Sequence, residues 1–228
     1  MTPDCDRFVP GYGDANADFH VIGDHPGIHG GVADGVPFTG EPWSETFLAT
    51  LADAGLVSSP ETSPETPPSG TSSNSDGTGA EASPEAIGRS ADRLPYRPRN
   101  AFFSYLHMCD SSGTPTRESY ADMERFFDAE LRAIAAHVLL PVGERTTEHV
   151  FRQYTARART TRIDMDALHA TELLGSGWLV VPIKDPGEWG AGDGERLVSA
   201  LEELRSTDFR RESDLGRFMA GDDPYLVR

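Results

Sequence analysis

Short apolar runs alternate with longer amphipathic stretches along this chain. Ala17 to Gly23 has the length and flanks of a buried strand, and Ala101 to His107, His137 to Val142 and Trp178 to Ile183 read as further strands. Thr116 is a suitable N-cap for a long helix through Ala136, with Glu118 and Asp122 in its early turns. Glu144 to Ala158 and Glu195 to Arg205 read as later helices. Alternating strand and helix predicts an α/β fold with a mainly parallel sheet covered on both faces.

One stretch breaks the pattern. From Ser58 to Ser90 the chain is rich in Ser, Pro, Thr, Gly and Glu with almost no apolar anchors, a composition that cannot offset the entropy of ordering it. A disordered insertion inside one domain spanning 1–228 is expected, with a flexible acidic arm as its functional reading.

The 228 residues, 37% of them hydrophobic, suffice for one such domain. No apolar run approaches membrane-spanning length and the N-terminus shows no signal peptide, so a cytoplasmic protein with no membrane partner is expected. A formal charge of -17 and a pI near 4.7 would ordinarily repel a polyanion. Lys184, however, is the only lysine, and the other cations are arginines. That pattern fits adaptation to high salt, where the Debye length falls to about 3 Å and local arginines decide what touches phosphate. Cys5 and Cys109 could pair in principle, but a reducing cytosol favours free thiols, and Cys109 also reads as a small buried hydrophobe.

The densest chemistry follows the first strand. Ala17 to Gly40, ADFHVIGDHPGIHGGVADGVPFTG, runs from strand into a glycine-rich loop carrying acids, histidines and Pro37-Phe38. Its glycines allow close approach of main chain to a ligand. This stretch resembles the first motif of the uracil-DNA glycosylase superfamily, particularly the microbial type-A and type-B branches, which ordinarily carry a 4Fe-4S cluster. Val9 to Asp18 is similar to the lead-in of those enzymes and Trp43 to Leu56 to their first helix. The loop from Ile28-His29-Gly30-Gly31 through Pro37-Phe38-Thr39-Gly40 most resembles type B. Asn100 to Cys109, Gly113 to Thr116 and the helix Glu118 to Ile134 are similar to the second strand, the cysteine-containing loop and the helix after it. The likeness extends from about Cys5 to Arg205, apart from the insertion.

The resemblance implies a three-layer α/β/α sandwich around a mainly parallel four-stranded sheet, and cleavage of the bond between deoxyribose and a flipped uracil or related damaged base. The implied partner is DNA presenting a flipped or single-stranded base, and a monomer is expected. Phe38 is the candidate stacking platform, although a core phenylalanine is the alternative. Gly23, His25, Pro26 and Gly27 would shape the base pocket, with backbone amides near Asp24 and His25 facing the pyrimidine carbonyls. Asp24 and Glu41 are the candidate carboxylates for water or cation; a surface acid is the alternative for each. His25 and His29 beside Asp24 suggest a metal, but no fourth ligand stands at a set spacing, and none is expected.

Several positions depart from the family. Tyr105 stands where an asparagine would read the uracil edge. In Lys184-Asp185-Pro186-Gly187, Asp185 replaces the histidine that stabilises the uracil anion, an aspartate that would repel that anion unless Lys184 or His107 offsets it. The two cysteines cannot supply the four thiolates of a cluster, and the ligand expected on the helix near Asp122 to Arg125 is absent, so no cofactor is expected. Arg152, Arg157, Arg159 and Arg162 are the candidate DNA-binding patch, with helix-surface solvation as the alternative, and Arg93, Arg97 and Arg99 form a looser group. A catalytically degenerate member that binds nucleic acid or a nucleobase without cleavage is the other reading. A small-molecule nucleotide enzyme is disfavoured by the lack of a Gly-Lys-Ser/Thr phosphate motif.

Overall fold

Strand Phe19–Gly23 (β2) is buried along its whole length and lies at the centre of the sheet. The structure, a computed structural model, describes residues 3–58, 96–110, 113–155 and 163–216. The elements before the insertion are Tyr12–Gly13 (β1), β2, the single helical turn Pro26–His29 (α1), Ser44–Asp53 (α2) and Val57–Ser58 (β3). After it come Arg97–Pro98 (β4), Ala101–Tyr105 (β5), Arg117–Ile134 (α3), Val138–Pro141 (β6), Glu144–Tyr154 (α4), Met165–Leu168 (α5), Leu173–Leu174 (β7), Leu179–Val180 (β8), Asp193–Ser206 (α6) and Phe209–Gly216 (α7). Residues 59–95, which hold all of the low-complexity stretch except Ser58, lie outside the described residues.

The sheet has six strands in the order β1-β5-β2-β6-β8-β7. Strands β5, β2, β6 and β8 are parallel, whereas β1 and β7 pair antiparallel at the two edges. The four-stranded expectation is corrected to six. The edge strands are two residues long and partly exposed, so they leave no apolar run to read. A separate pairing of β3 with β4 adds a short antiparallel ladder.

Alternation along the strands divides the core in two. Phe19 and Val21 of β2, Phe103 and Tyr105 of β5, Val138 and Leu140 of β6 pack with Phe47 and Leu51 of α2 and Leu197, Leu201 and Leu204 of α6. Ile22, Leu139 and Val180 point the other way, onto Phe127 and Leu131 of α3 and Val150 and Phe151 of α4. Helices therefore cover both faces and make three layers. Helix α3 begins as expected: the Thr116 hydroxyl accepts the Ser119 N–H at 3.2 Å. Among the described residues no helix is long and apolar enough to cross a membrane.

Cys5 and Cys109 form a disulfide, which corrects the expectation of free thiols. The backbone brings them together. The Val9 N–H donates to the Met108 carbonyl at 2.8 Å and the Asp110 N–H to the Arg7 carbonyl at 2.9 Å, laying the N-terminal segment along the loop after β5. The two Cα atoms are then 6.2 Å apart, within disulfide reach. The redox state of a compartment does not determine which segments of a chain approach one another.

Candidate functional site

The loop after β2 leads to α2 on one face of the sheet, and the turn after β6 leads directly into α4 on the other. Open parallel sheets leave a crevice at such a divergence, beyond the carboxyl ends of the strands. Here a cavity of about 540 Å³ lies there, lined by Asp24 after β2, Gly143 to Thr146 after β6, and Asp185 after β8, with Ile28 and Ile163 among the apolar members.

Asp24 is the fixed carboxylate of this cavity. Only 5% exposed, it accepts a short hydrogen bond from the Tyr120 hydroxyl on α3, and its Oδ2 lies 3.2 Å from Nε of Arg145 on α4. The Arg145 guanidinium also sits 5.0 Å over the Tyr120 ring. Burial and the bond to Asp24 raise the Tyr120 phenol above its ordinary range, so it stays a donor. Asp24 thus has a defined orientation before any ligand enters.

The backbone amide of Asp24 is not free for a pyrimidine carbonyl, a correction to the sequence expectation. It donates to Nδ1 of His29 at 2.9 Å. With Nδ1 accepting, the His29 ring turns Nε2 towards the Asp185 carboxylate, 3.5 Å from Oδ2. The ring stacks on Phe38, with centroids 5.4 Å apart and planes 30° apart. Phe38 itself is fully buried, at φ +62°, and packs on Phe47 and Phe103 as well. It belongs to the core and is absent from the cavity wall.

Tyr105 is equally enclosed. Its hydroxyl accepts the Phe38 N–H at 2.8 Å and donates to the His29 carbonyl at 2.8 Å, which staples the two ends of the motif loop. The base-reading position is here a loop clamp. Gly23 is required by the same packing: a Cβ there would fall 2.5 Å from the Tyr105 ring and 2.8 Å from Phe38. His25 caps α1 by accepting the Gly27 N–H at 3.0 Å, with Pro26 in the first turn. Burial, partly opposed by Asp24, holds the His25 imidazole below its usual range and so neutral. Gly27 is exposed beside it.

Of the remaining candidates, Asp185 lines the cavity and Glu41 does not. Burial raises the Asp185 carboxyl, but contact with His29 and the Gly187 N–H outweighs it and holds the group below the ordinary carboxylate range. The Glu41 backbone instead pairs with Ser44 at the start of α2. The Lys184 ammonium is engaged by Asp166 at 2.7 Å and Asp193 at 3.7 Å, while His107 Nε2 sits 2.5 Å from the Ser119 hydroxyl, and neither lines the cavity. Arg152 is exposed on α4 and pairs with Glu148; Arg157, Arg159 and Arg162 lie outside the described residues.

Sequence reasoning missed Tyr120, Arg145, Thr146 and the packing role of His29. Gly143-Glu144-Arg145-Thr146 directly follows a strand that was recognised, and the position at the carboxyl end of a parallel strand was the available signal. Nothing in the spacing of Tyr120 could have joined it to Asp24, 96 residues away.

A 4Fe-4S cluster needs four thiolates, whereas both sulfurs here are bonded to each other and lie among Met108, Met123, Phe126 and Phe8. The residues present do not fit that group. Among the described residues no three His, Cys, Asp or Glu side chains are placed to hold a metal ion.

A 58-residue segment is 43% identical to the type-5 uracil-DNA glycosylase of Thermus thermophilus, covering 25% of this chain. The match spans 26% of that relative's length. The family model described as the uracil DNA glycosylase superfamily matches residues 10–200, a span that takes in β2 and its loop, all four parallel strands and the cavity wall. This chain belongs to the uracil DNA glycosylase superfamily.

Proposed function

We propose that the protein is a DNA N-glycosylase of base-excision repair that removes uracil or a related damaged base, with its first motif nearest the type-B branch. The observation that carries this reading is Asp24, almost fully buried on the cavity wall and oriented by Tyr120 and Arg145, at the end of the strand that opens the superfamily motif. In the reaction the C1′–N bond breaks with its electron pair leaving on the base, and a water oxygen bonds to C1′. The water gives a proton to the Asp24 carboxylate, which returns it to solvent, and the base anion is protonated in turn. A buried carboxylate also stabilises the cationic sugar of the transition state, where charge is worth more than in bulk water. Arg145, with its side chain 54% exposed at the cavity mouth, is suited to a DNA phosphate.

A cytoplasmic setting at high salt belongs to the same proposal, motivated by the -17 charge and single lysine. The deciding assay is cleavage of uracil-, hypoxanthine- and xanthine-containing oligonucleotides, single- and double-stranded, in molar potassium chloride, with Asp24→Asn as control. No cleavage of any substrate overturns the catalytic reading. A catalytically degenerate member that binds nucleic acid or a nucleobase without cleavage is the second reading, favoured by one observation: the cavity wall carries the Asp185 carboxylate where the family would have its anion-stabilising histidine.

A further inference from the structure

The segment that follows β5 is gripped on two sides. On one side the Leu106 N–H donates to the Gly23 carbonyl at 2.9 Å and the His107 N–H to the Asp24 carbonyl at 3.0 Å, so the motif loop leaves its strand along this backbone. On the other, Val9 and Arg7 pair with Met108 and Asp110, and Phe8 bridges Cys109. Of the ties on the chain ahead of Val9, the Cys5–Cys109 bond is the strongest. The ion pair of Arg7 with Asp110, at 3.5 Å, is exposed and worth little, and chain ends fray unless tied down.

The same segment reaches the carboxylate on the cavity wall. His107 is buried, its Nε2 lies 2.5 Å from the Ser119 hydroxyl in the first turn of α3, and its ring centroid is 5.4 Å from that of Tyr120. Tyr120, next along the helix, donates to Asp24. Cys109 also touches α3, with Sγ 3.7 Å from Met123 Sδ. Residues 106–110 therefore fix both partners of the Tyr120–Asp24 bond: they hold Asp24 by its carbonyl and Tyr120 by the helical turn that carries it.

A reductant has a way in. Cys5 is partly exposed, whereas Cys109 is buried. A cavity of about 490 Å³ lies between Asp4, the neighbour of Cys5, and a face of α3 made by Ala121, Asp122, Met123 and Arg125. In a reducing compartment, a disulfide is more commonly a redox sensor than a permanent staple.

We propose that the Cys5–Cys109 bond is a reversible redox latch on the Asp24 site: closed, it holds Tyr120 on the carboxylate, and opened by a cellular dithiol it releases the pair. A thiolate of the dithiol attacks Sγ of Cys5, the S–S bond breaks, and its electron pair leaves on Cys109, which takes a proton. The second thiol of the dithiol then displaces Cys5, so the dithiol is oxidised to a disulfide and the protein gains two electrons and two protons. An oxidised dithiol carrier reverses the sequence. The consequence for base removal rests on the glycosylase reading, whereas the latch itself is read without turnover.

The test holds the full chain in molar potassium chloride with dithiothreitol or its oxidised form, and counts thiols by alkylation and mass. Reduction should open the bond without denaturant. Deuterium uptake within the first minute, which reports local opening, should rise about tenfold across 106–110 and 117–123 and stay unchanged in Val138–Pro141. Single-turnover cleavage of a uracil oligonucleotide should fall about tenfold, the worth of one hydrogen bond to a charged group, and return on reoxidation. In Tyr120→Phe, which lacks the bond to Asp24, reduction should cause no further fall. Cys5→Ser should match the reduced wild type and ignore the dithiol; if it does not fold, the two redox states of the wild type still decide. The latch is overturned by a bond that opens only in denaturant, by unchanged local uptake, by a Cys5→Ser protein that matches the oxidised state, or by a Tyr120→Phe protein that reduction slows as much as wild type. Local opening with no cleavage in either state supports the latch and sinks the glycosylase reading. Cleavage indifferent to redox state sinks the latch alone.

Discussion

His29 lies against Phe38 with their ring centroids 5.4 Å apart, while its Nδ1 accepts the Asp24 amide, so one histidine closes the aromatic platform and ties up the neighbouring backbone donor. Phe38→Ala should accordingly act on stability before it acts on binding. Removing a fully buried phenylalanine costs about 3–5 kcal/mol. Urea denaturation in molar salt is the measurement, and an unchanged midpoint would mean that Phe38 is not part of the core.

Asp24→Asn keeps the shape but removes the charge, and its amide nitrogen replaces one of the two oxygens that accept from Tyr120 and Arg145. Single-turnover cleavage of a uracil oligonucleotide should fall roughly 10²- to 10⁴-fold, with binding of an uncleavable substrate analogue nearly unchanged. A variant that cleaves at the wild-type rate would move the catalytic carboxylate elsewhere.

Arg145 uses Nε on Asp24, which leaves the outer guanidinium nitrogens at the mouth. Arg145→Ala should weaken DNA binding across all sequences and lower the slope of log affinity against log salt by about 1. Fluorescence anisotropy over a potassium chloride series reads both. An unaltered slope would show that no phosphate is held there.

The disulfide closes a loop with a sequence separation of 104 residues, a cross-link of the kind that stabilises by about 2–4 kcal/mol. Cys5→Ser should lower unfolding stability by that order. Added dithiol should shift the wild-type transition to the same position while leaving the variant unmoved. A reductant effect that persists in Cys5→Ser would have another origin.

Glu130 on α3 has its carboxyl pushed up to about 7 by burial, partly opposed by the Gly11 N–H that it accepts, and its Oε2 has no partner among the described residues. A carboxyl whose folded pKa exceeds its unfolded value binds more protons in the native state between the two values. Its contribution is therefore full below about pH 4.5 and is lost as pH rises through about 7. Glu130→Gln should exceed the wild type in stability at pH 8, by at most about 3 kcal/mol, and the advantage should vanish towards pH 4.5. Thermal melts of the two proteins across this range test the sign; a constant difference would mean that Glu130 does not titrate there.

By itself, the sequence determined the framework. Apolar runs at Phe19–Gly23, Ala101–Tyr105 and Val138–Pro141 mark parallel strands because burial on both faces demands nearly continuous hydrophobicity. Thr116 marks a helix start because a hydroxyl there satisfies an otherwise orphaned amide. These are local requirements and leave local traces, as does the glycine-rich loop that contains Asp24. The tertiary structure alone decided which side chains meet. Asp24 finds Tyr120 and Arg145 only because α3 and α4 pack on the same face of the sheet, and Phe38 and Tyr105 become core and clamp because His29 folds back between loop and strand. Cys5 reaches Cys109 through backbone pairing of segments far apart in the chain. Contacts of that kind are set by where parallel strands end and on which face their helices depart, and residue spacing along the chain carries no record of them.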